Sequence, residues 1–270
     1  MTDAVMPAML SQEELDELLF AVRCLEGDSF ASRATRLIGR QAETLARALP
    51  GSARRAVGTA TERAVRVALR VALHTIDKDS PAKAARGLHK AAAAASGAIG
   101  GAFGLASMAI ELPISTTILL RSIAQIAREE GEDLERPEAA LACVEVFALG
   151  GEEAGEAAIE GSYFAARGAL ARSVSDGARF FAHRGVVSET APALVRLIAQ
   201  IAARFGVVVS EKLAAQALPI IGALGGATLN VAFAEHFQTV ARGHFIVRRL
   251  ERRHGEDAVR FEYQRLRNQL

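Results

Sequence analysis

The residues that could do chemistry in this chain are polar side chains set into otherwise apolar helical stretches. Glu111 closes an uncharged run and is followed by Pro113. Glu145 stands alone in LACVEVFALGG, and Glu235, His236, Arg242 and His244 interrupt a second apolar stretch. Thr117, Arg121, Gln125 and Arg128 form a narrow polar stripe on a helix otherwise built of Ile118, Leu119, Leu120, Ile123 and Ile126. Burying such groups is costly without partners, so their placement needs a reason. One reason is a set of ion pairs that fix helix register, for example Glu111 or Glu145 with Arg121. The other is convergence of Glu111, Arg121, Glu145, Glu235, His236, Arg242 and His244 on one polar pocket between helices, where a ligand head group would bind. Carboxylates buried beside His and Arg are also where catalytic pKa shifts arise.

Metal chemistry is weakly supported. Helix-bundle carboxylate sites use Glu-x-x-His pairs, and here only Glu251 with His254 fits; the pair precedes Gly255, where the helix dipole already accounts for a histidine. No metal and no cofactor is expected. There is no GxSxG elbow, Walker A loop, HExxH or CxxC, and Cys143 reads as a small core residue. Arg248, Arg249, Arg252 and Arg253 make the C-terminal stretch basic, with Glu251 the only acid among them. That pattern is either a solvated helix face or a contact for phosphate groups of a membrane surface.

The elements that must position these groups are helical. The chain has 270 residues, 55 of them Ala, no Trp and two Tyr, a composition unlike that of a sheet protein. Half the residues are hydrophobic, which excludes disorder, and a net charge of +1 argues against a nucleic-acid partner. Cys24 and Cys143 alone provide no disulfide framework, and the N-terminus carries no secretory signal, so a cytoplasmic location is expected, peripheral at the inner membrane. Ser11 and Glu14 make a capping box ahead of Leu15, Leu18, Leu19 and Val22. Residues 30–48 read as an Arg-rich helix. Residues 53–76 carry a stripe of Val65, Leu69, Ala72 and Leu73, with Arg63, Arg66 and Arg70 off it.

Two runs lack charge altogether, 91–110 and 213–234. Both are long enough to cross a bilayer, but Ala and Gly dominate them, and buried central helices are the better reading. Gly97 and Gly101, Gly100 and Gly104, and Gly222 and Gly226 are each four apart, a glycine-zipper spacing that lets helix backbones approach closely. The segments beginning at Gly97 and Gly222 also echo one another. With an offset of 124, Glu111 falls on Glu235, Arg128 on Arg252 and Gly131-Glu132-Asp133 on Gly255-Glu256-Asp257, an internal pseudo-repeat.

Several strings resemble the bacterial EcsC family: Glu111-Leu-Pro-Ile-Ser-Thr-Thr, Arg121-Ser-Ile-Ala-Gln-Ile-Ala-Arg128, Leu141 through Gly151, and His236-Phe-Gln through Glu251. They span roughly residues 85–265. The resemblance implies an association by name with membrane transport and secretion and brings no catalytic residue. The expectation is therefore an all-α multi-helix bundle around two Gly/Ala-rich central helices, with residues 1–50 an N-terminal helical extension and 51–270 an EcsC-like domain. Its expected function is that of a non-enzymatic, membrane-associated or lipid-binding accessory protein, partnered by membrane lipid or a membrane protein and able to self-associate. The alternatives are a hydrolase-like enzyme with a buried Glu/His/Arg site, and a scaffold pairing through Gly-rich helices.

Overall fold

The computed structural model describes residues 10–27, 29–30, 32, 50–74, 105–151, 163–184, 191–216 and 222–270, with backbone only at 105–109 and 222–226. Among these residues there are eight helices and no strand, so the protein is all-α: α1 (Gln12–Leu25), α2 (Gly51–His74), α3 (Leu105–Glu129), α4 (Pro137–Leu149), α5 (Tyr163–Arg184), α6 (Pro192–Gln216), α7 (Gly222–His254) and α8 (Glu256–Arg267). The expected helix over 30–48, the run 91–104 and Gly97, Gly100, Gly101 and Gly104 lie outside the described residues.

Local sequence explains where these helices begin. Ser11 accepts from the Glu14 amide at 3.3 Å while the Glu14 carboxylate accepts from the Ser11 amide at 2.9 Å, the reciprocal capping box that starts α1. On α2, Val65, Leu69 and Ala72 are buried and Leu73 half-buried, with Arg63 and Arg70 exposed. Pro137 at the first turn opens α4, where a missing N–H costs nothing.

The innermost helix is α4. Every residue from Ala139 to Ala148 is buried, because α2, α3, α5, α6 and α7 all pack against it. An amphipathic helix could not fill that place; LACVEVFAL is apolar on all sides apart from Glu145. Phe147, Phe205, Phe233 and Phe237 interlock around it at centroid separations of 4.9–6.1 Å. A second apolar cluster joins α1 to the C-terminal half of α7 and to α8 through Leu18, Val22, Val247, Leu250, Val259 and Tyr263. α1 comes so close to α7 that a Cβ on Gly243 would lie 2.7 Å from Leu25 Cγ.

Two helix boundaries differ from expectation. α3 continues through Pro113, where a proline is expected to end or kink a helix. Proline removes one N–H from the ladder, and next to it the Ser115 and Thr117 hydroxyls donate to the Leu112 and Pro113 carbonyls at 3.1 and 2.8 Å. The uncharged run 213–234 is divided between the end of α6 at Gln216 and the start of α7 at Gly222. It carries Pro219, a residue unsuited to a helix interior. α6 is the one described helix long and apolar enough to cross a membrane, a test that a buried core helix also passes.

Candidate functional site

The polar groups that meet in the interior come from α4, α5 and α7. On α7, His244, Arg248 and Glu251 fall at i, i+4 and i+7 and share a face. On α5, Tyr163 and Arg167 stand one turn apart in the same way. Arg167 Nη1 donates to Glu251 Oε1 at 2.7 Å and to Tyr163 Oη at 3.4 Å. The Tyr163 hydroxyl also shares a hydrogen bond with His244 Nδ1, 2.9 Å away. The other ring nitrogen, His244 Nε2, is buried without a hydrogen-bond partner. Glu26, which caps α1 at its C-terminal end, accepts from the Tyr163 amide at 3.2 Å and from the Tyr263 hydroxyl at 2.9 Å.

Glu145 belongs to the same electrostatic neighbourhood. Burial pushes its carboxyl up to about 7, against the pull of Arg167 and Arg248 and with a further push from Glu251. Its Oε1 has no hydrogen-bond partner. The two arginines do not neutralise Glu145 because each already has a carboxylate. Arg167 holds Glu251, and Arg248 holds Glu132 bidentately at 2.7 and 3.2 Å. His244 is driven well below the usual imidazole range by burial and by Arg248 and Arg167. A proton-holding acid and an unprotonated imidazole thus lie around one Tyr–Arg relay, the material of acid–base chemistry. Both are sealed, at 3% and 0% exposure.

A second polar site lies where α3, α6 and α7 meet. Lys212 Nζ is 3.9 Å from Glu111 Oε1 and 4.7 Å from the centre of the Phe233 ring. Burial lowers the Lys212 pKa, opposed by the Glu111 charge. One turn further along α6, Gln216 Nε2 is buried without a hydrogen-bond partner.

Of the expected pocket residues, then, Glu145 and His244 share one cluster, and Glu111 belongs to the Lys212 site. Arg121, Glu235 and Arg242 are exposed on α3 and α7. His236 Nε2 donates to the Gly150 carbonyl at 2.7 Å, tying α7 to the end of α4. The four arginines expected to face phosphate each have a carboxylate partner, with Arg252 and Arg253 still 41% and 58% exposed. Arg248 and Arg252 converge on Glu132, Arg249 binds Glu17 at 2.8 Å and Glu130 at 3.1 Å, and Arg253 approaches Glu14 at 3.6 Å. No group of three or more His, Cys, Asp or Glu among the described residues is placed to hold a metal ion.

The profile of the EcsC protein family matches residues 14–250, which include the Lys212 site and the first cluster apart from Glu251 and Tyr263. The chain belongs to the EcsC family. No curated protein and no solved structure matches it. Within this EcsC protein, sequence reasoning missed Tyr163, Arg167, Glu132 and Lys212. Scarcity was the available signal: both tyrosines of the chain lie in the first cluster, and Lys212 is one of only four lysines.

Proposed function

We propose that this EcsC protein is a non-enzymatic accessory protein that binds lipid at a membrane surface, peripheral on the cytoplasmic side. One observation carries the reading. Ile110 and Ile114 stand one turn apart on α3 at 68% and 52% exposure, Ile110 closing the uncharged run 91–110 and Ile114 lying just beyond it. Large aliphatic side chains kept in water next to a long uncharged stretch are what an interfacial contact requires. Withdrawing the exposed part of each from water contributes about 1–2 kcal/mol. A partner at that surface, whether lipid or a membrane protein, would recover this free energy.

The test is flotation with phosphatidylglycerol and phosphatidylcholine vesicles. The wild type is expected to float, and the double variant Ile110→Ser, Ile114→Ser is expected to stay in the dense fraction with unchanged melting. A wild type that stays behind, or a double variant that floats equally, refutes the reading.

A second reading, a hydrolase-like enzyme, draws on a different observation: Glu145 held near neutrality in the cluster that contains an unprotonated His244. It requires Glu145→Gln and His244→Gln to abolish a turnover while the fold persists.

A further inference from the structure

We infer that Lys212 and Gln216 form the head-group site for an anionic amphiphile, a carboxylate or phosphate carrying an acyl chain, and that Glu111 is the internal carboxylate this ligand displaces. The inference rests on the lipid-binding reading and gives it a place. The Lys212 side chain is 8% exposed, yet its separation of 3.9 Å from Glu111 is longer than a hydrogen bond. An ammonium has three donors, and a buried one is normally hydrogen-bonded. Gln216, four residues on and thus on the same face of α6, adds a buried amide nitrogen with no partner.

Lys212 Nζ and the unpartnered Gln216 Nε2 are both donors, which selects an anion rather than a cation. Glu111 lies further out, at 18% exposure, so an incoming anion competes with it for Lys212. An anion bound there also favours the ammonium form that burial disfavours. The acyl chain has a path: Ile110 and Ile114 flank Glu111 at positions −1 and +3 on α3 and are exposed, and the Phe233 ring lies against the ammonium.

Delipidated full-length protein is titrated with palmitate, with lysophosphatidylglycerol and with inorganic phosphate, and binding is read by native mass spectrometry and calorimetry. Lys212→Met is expected to weaken both amphiphiles about ten- to hundredfold, the loss of charge-assisted hydrogen bonds. Glu111→Gln is expected to tighten them several-fold, because the competing charge is gone. Phosphate alone is expected to bind far more weakly than either amphiphile.

A Lys212→Met variant that binds like the wild type overturns the assignment, as does a Glu111→Gln variant that binds more weakly. Should Lys212→Met fail to fold, the Glu111→Gln result decides alone. Equal affinity for phosphate and amphiphile replaces the lipid site with a bare anion site and refutes the proposal. Vesicle flotation separates the two ideas. A wild type that floats while palmitate ignores Lys212 overturns the head-group site only, and Lys212-dependent palmitate binding without flotation overturns the membrane-surface reading only.

Discussion

Glu145 should make this protein less stable as pH rises from acid to neutral, and Glu145→Gln should remove that loss. The carboxyl goes from 4.5 to about 7 on folding. At 1.36 kcal/mol per pKa unit, ionising it inside the bundle costs about 3 kcal/mol. The sign follows from linkage. An acid whose folded pKa lies above its unfolded pKa binds its proton more tightly when folded, so stability is full below about 4.5 and falls until pH passes about 7. Glutamine keeps the volume and cannot ionise. The variant is therefore expected to exceed the wild type by under about 1 kcal/mol at pH 5 and by about 3 kcal/mol at pH 8, or roughly 6–12 °C in melting temperature for a chain of this size. The groups acting on Glu145 are Arg167 and Arg248, already bound to Glu251 and Glu132, together with Glu251 itself and Tyr163. His244 acts with the opposite sign: its folded pKa is depressed, so its contribution is present above about 6.5 and lost below. That effect is common to wild type and variant and cancels in the difference. Urea unfolding followed by circular dichroism at both pH values measures the gap. Parallel behaviour at pH 5 and pH 8 would refute the reasoning, because Arg167 or Arg248 would then have charge to spare for Glu145.

Three further outcomes follow from particular contacts. Arg167→Met leaves Glu251, 7% exposed, without its guanidinium; a loss of about 3 kcal/mol is expected in urea unfolding, partly recovered when Glu251→Leu is added. Gly243→Ala places a Cβ 2.7 Å from Leu25 Cγ and 2.9 Å from Cys24 Cβ. It should cost roughly 1–3 kcal/mol and speed proteolytic release of α1. The hydrogen bonds to His254 and to the Ser11 amide hold the Glu14 carboxyl down at about 2. Its contribution is therefore present above 4.5 and lost as pH falls towards 2, so the difference between wild type and Glu14→Gln in acid unfolding should close over that range.

Sequence made some of this legible, for local reasons. The Ser11–Glu14 box and the α2 stripe depend on spacings of three and four, which any helix imposes. Glu145 stood out because it is the one charge in a run of apolar residues. What stayed hidden depends on pairings across the chain. Tyr163 meets His244 across 81 positions, Arg167 meets Glu251 across 84, and Arg248 meets Glu132 across 116. No periodicity encodes such partners. For that reason the basic stretch at 248–253 read as a face for solvent or phosphate, although Glu14, Glu17, Glu130 and Glu132 already engage it. Lys212 was hidden in another way. In Ser210-Glu211-Lys212 it looks like the solvent side of α6, and only the placement of α3 and α7 turns it inward.

The two polar sites differ in how fully their charges are matched, and that difference bears on where a ligand can act. From Phe233 to His244 along α7 is eleven residues, about 16 Å at 1.5 Å per residue. At the His244 end guanidinium and carboxylate groups answer one another, and both tyrosine hydroxyls are bonded. An added anion there would meet Glu251, Glu132 and Glu145. At the Phe233 end a buried ammonium lies beyond hydrogen-bond distance from its one carboxylate, and a buried amide nitrogen has no partner. Apolar side chains stand in water beside them. A ligand stabilises the fold only through interactions that the empty protein has not already made. The matched cluster offers few of these, and the Lys212 site offers several. An amphiphile should therefore raise the melting temperature of the wild type and of Glu145→Gln by the same amount, and that of Lys212→Met far less at the same concentration.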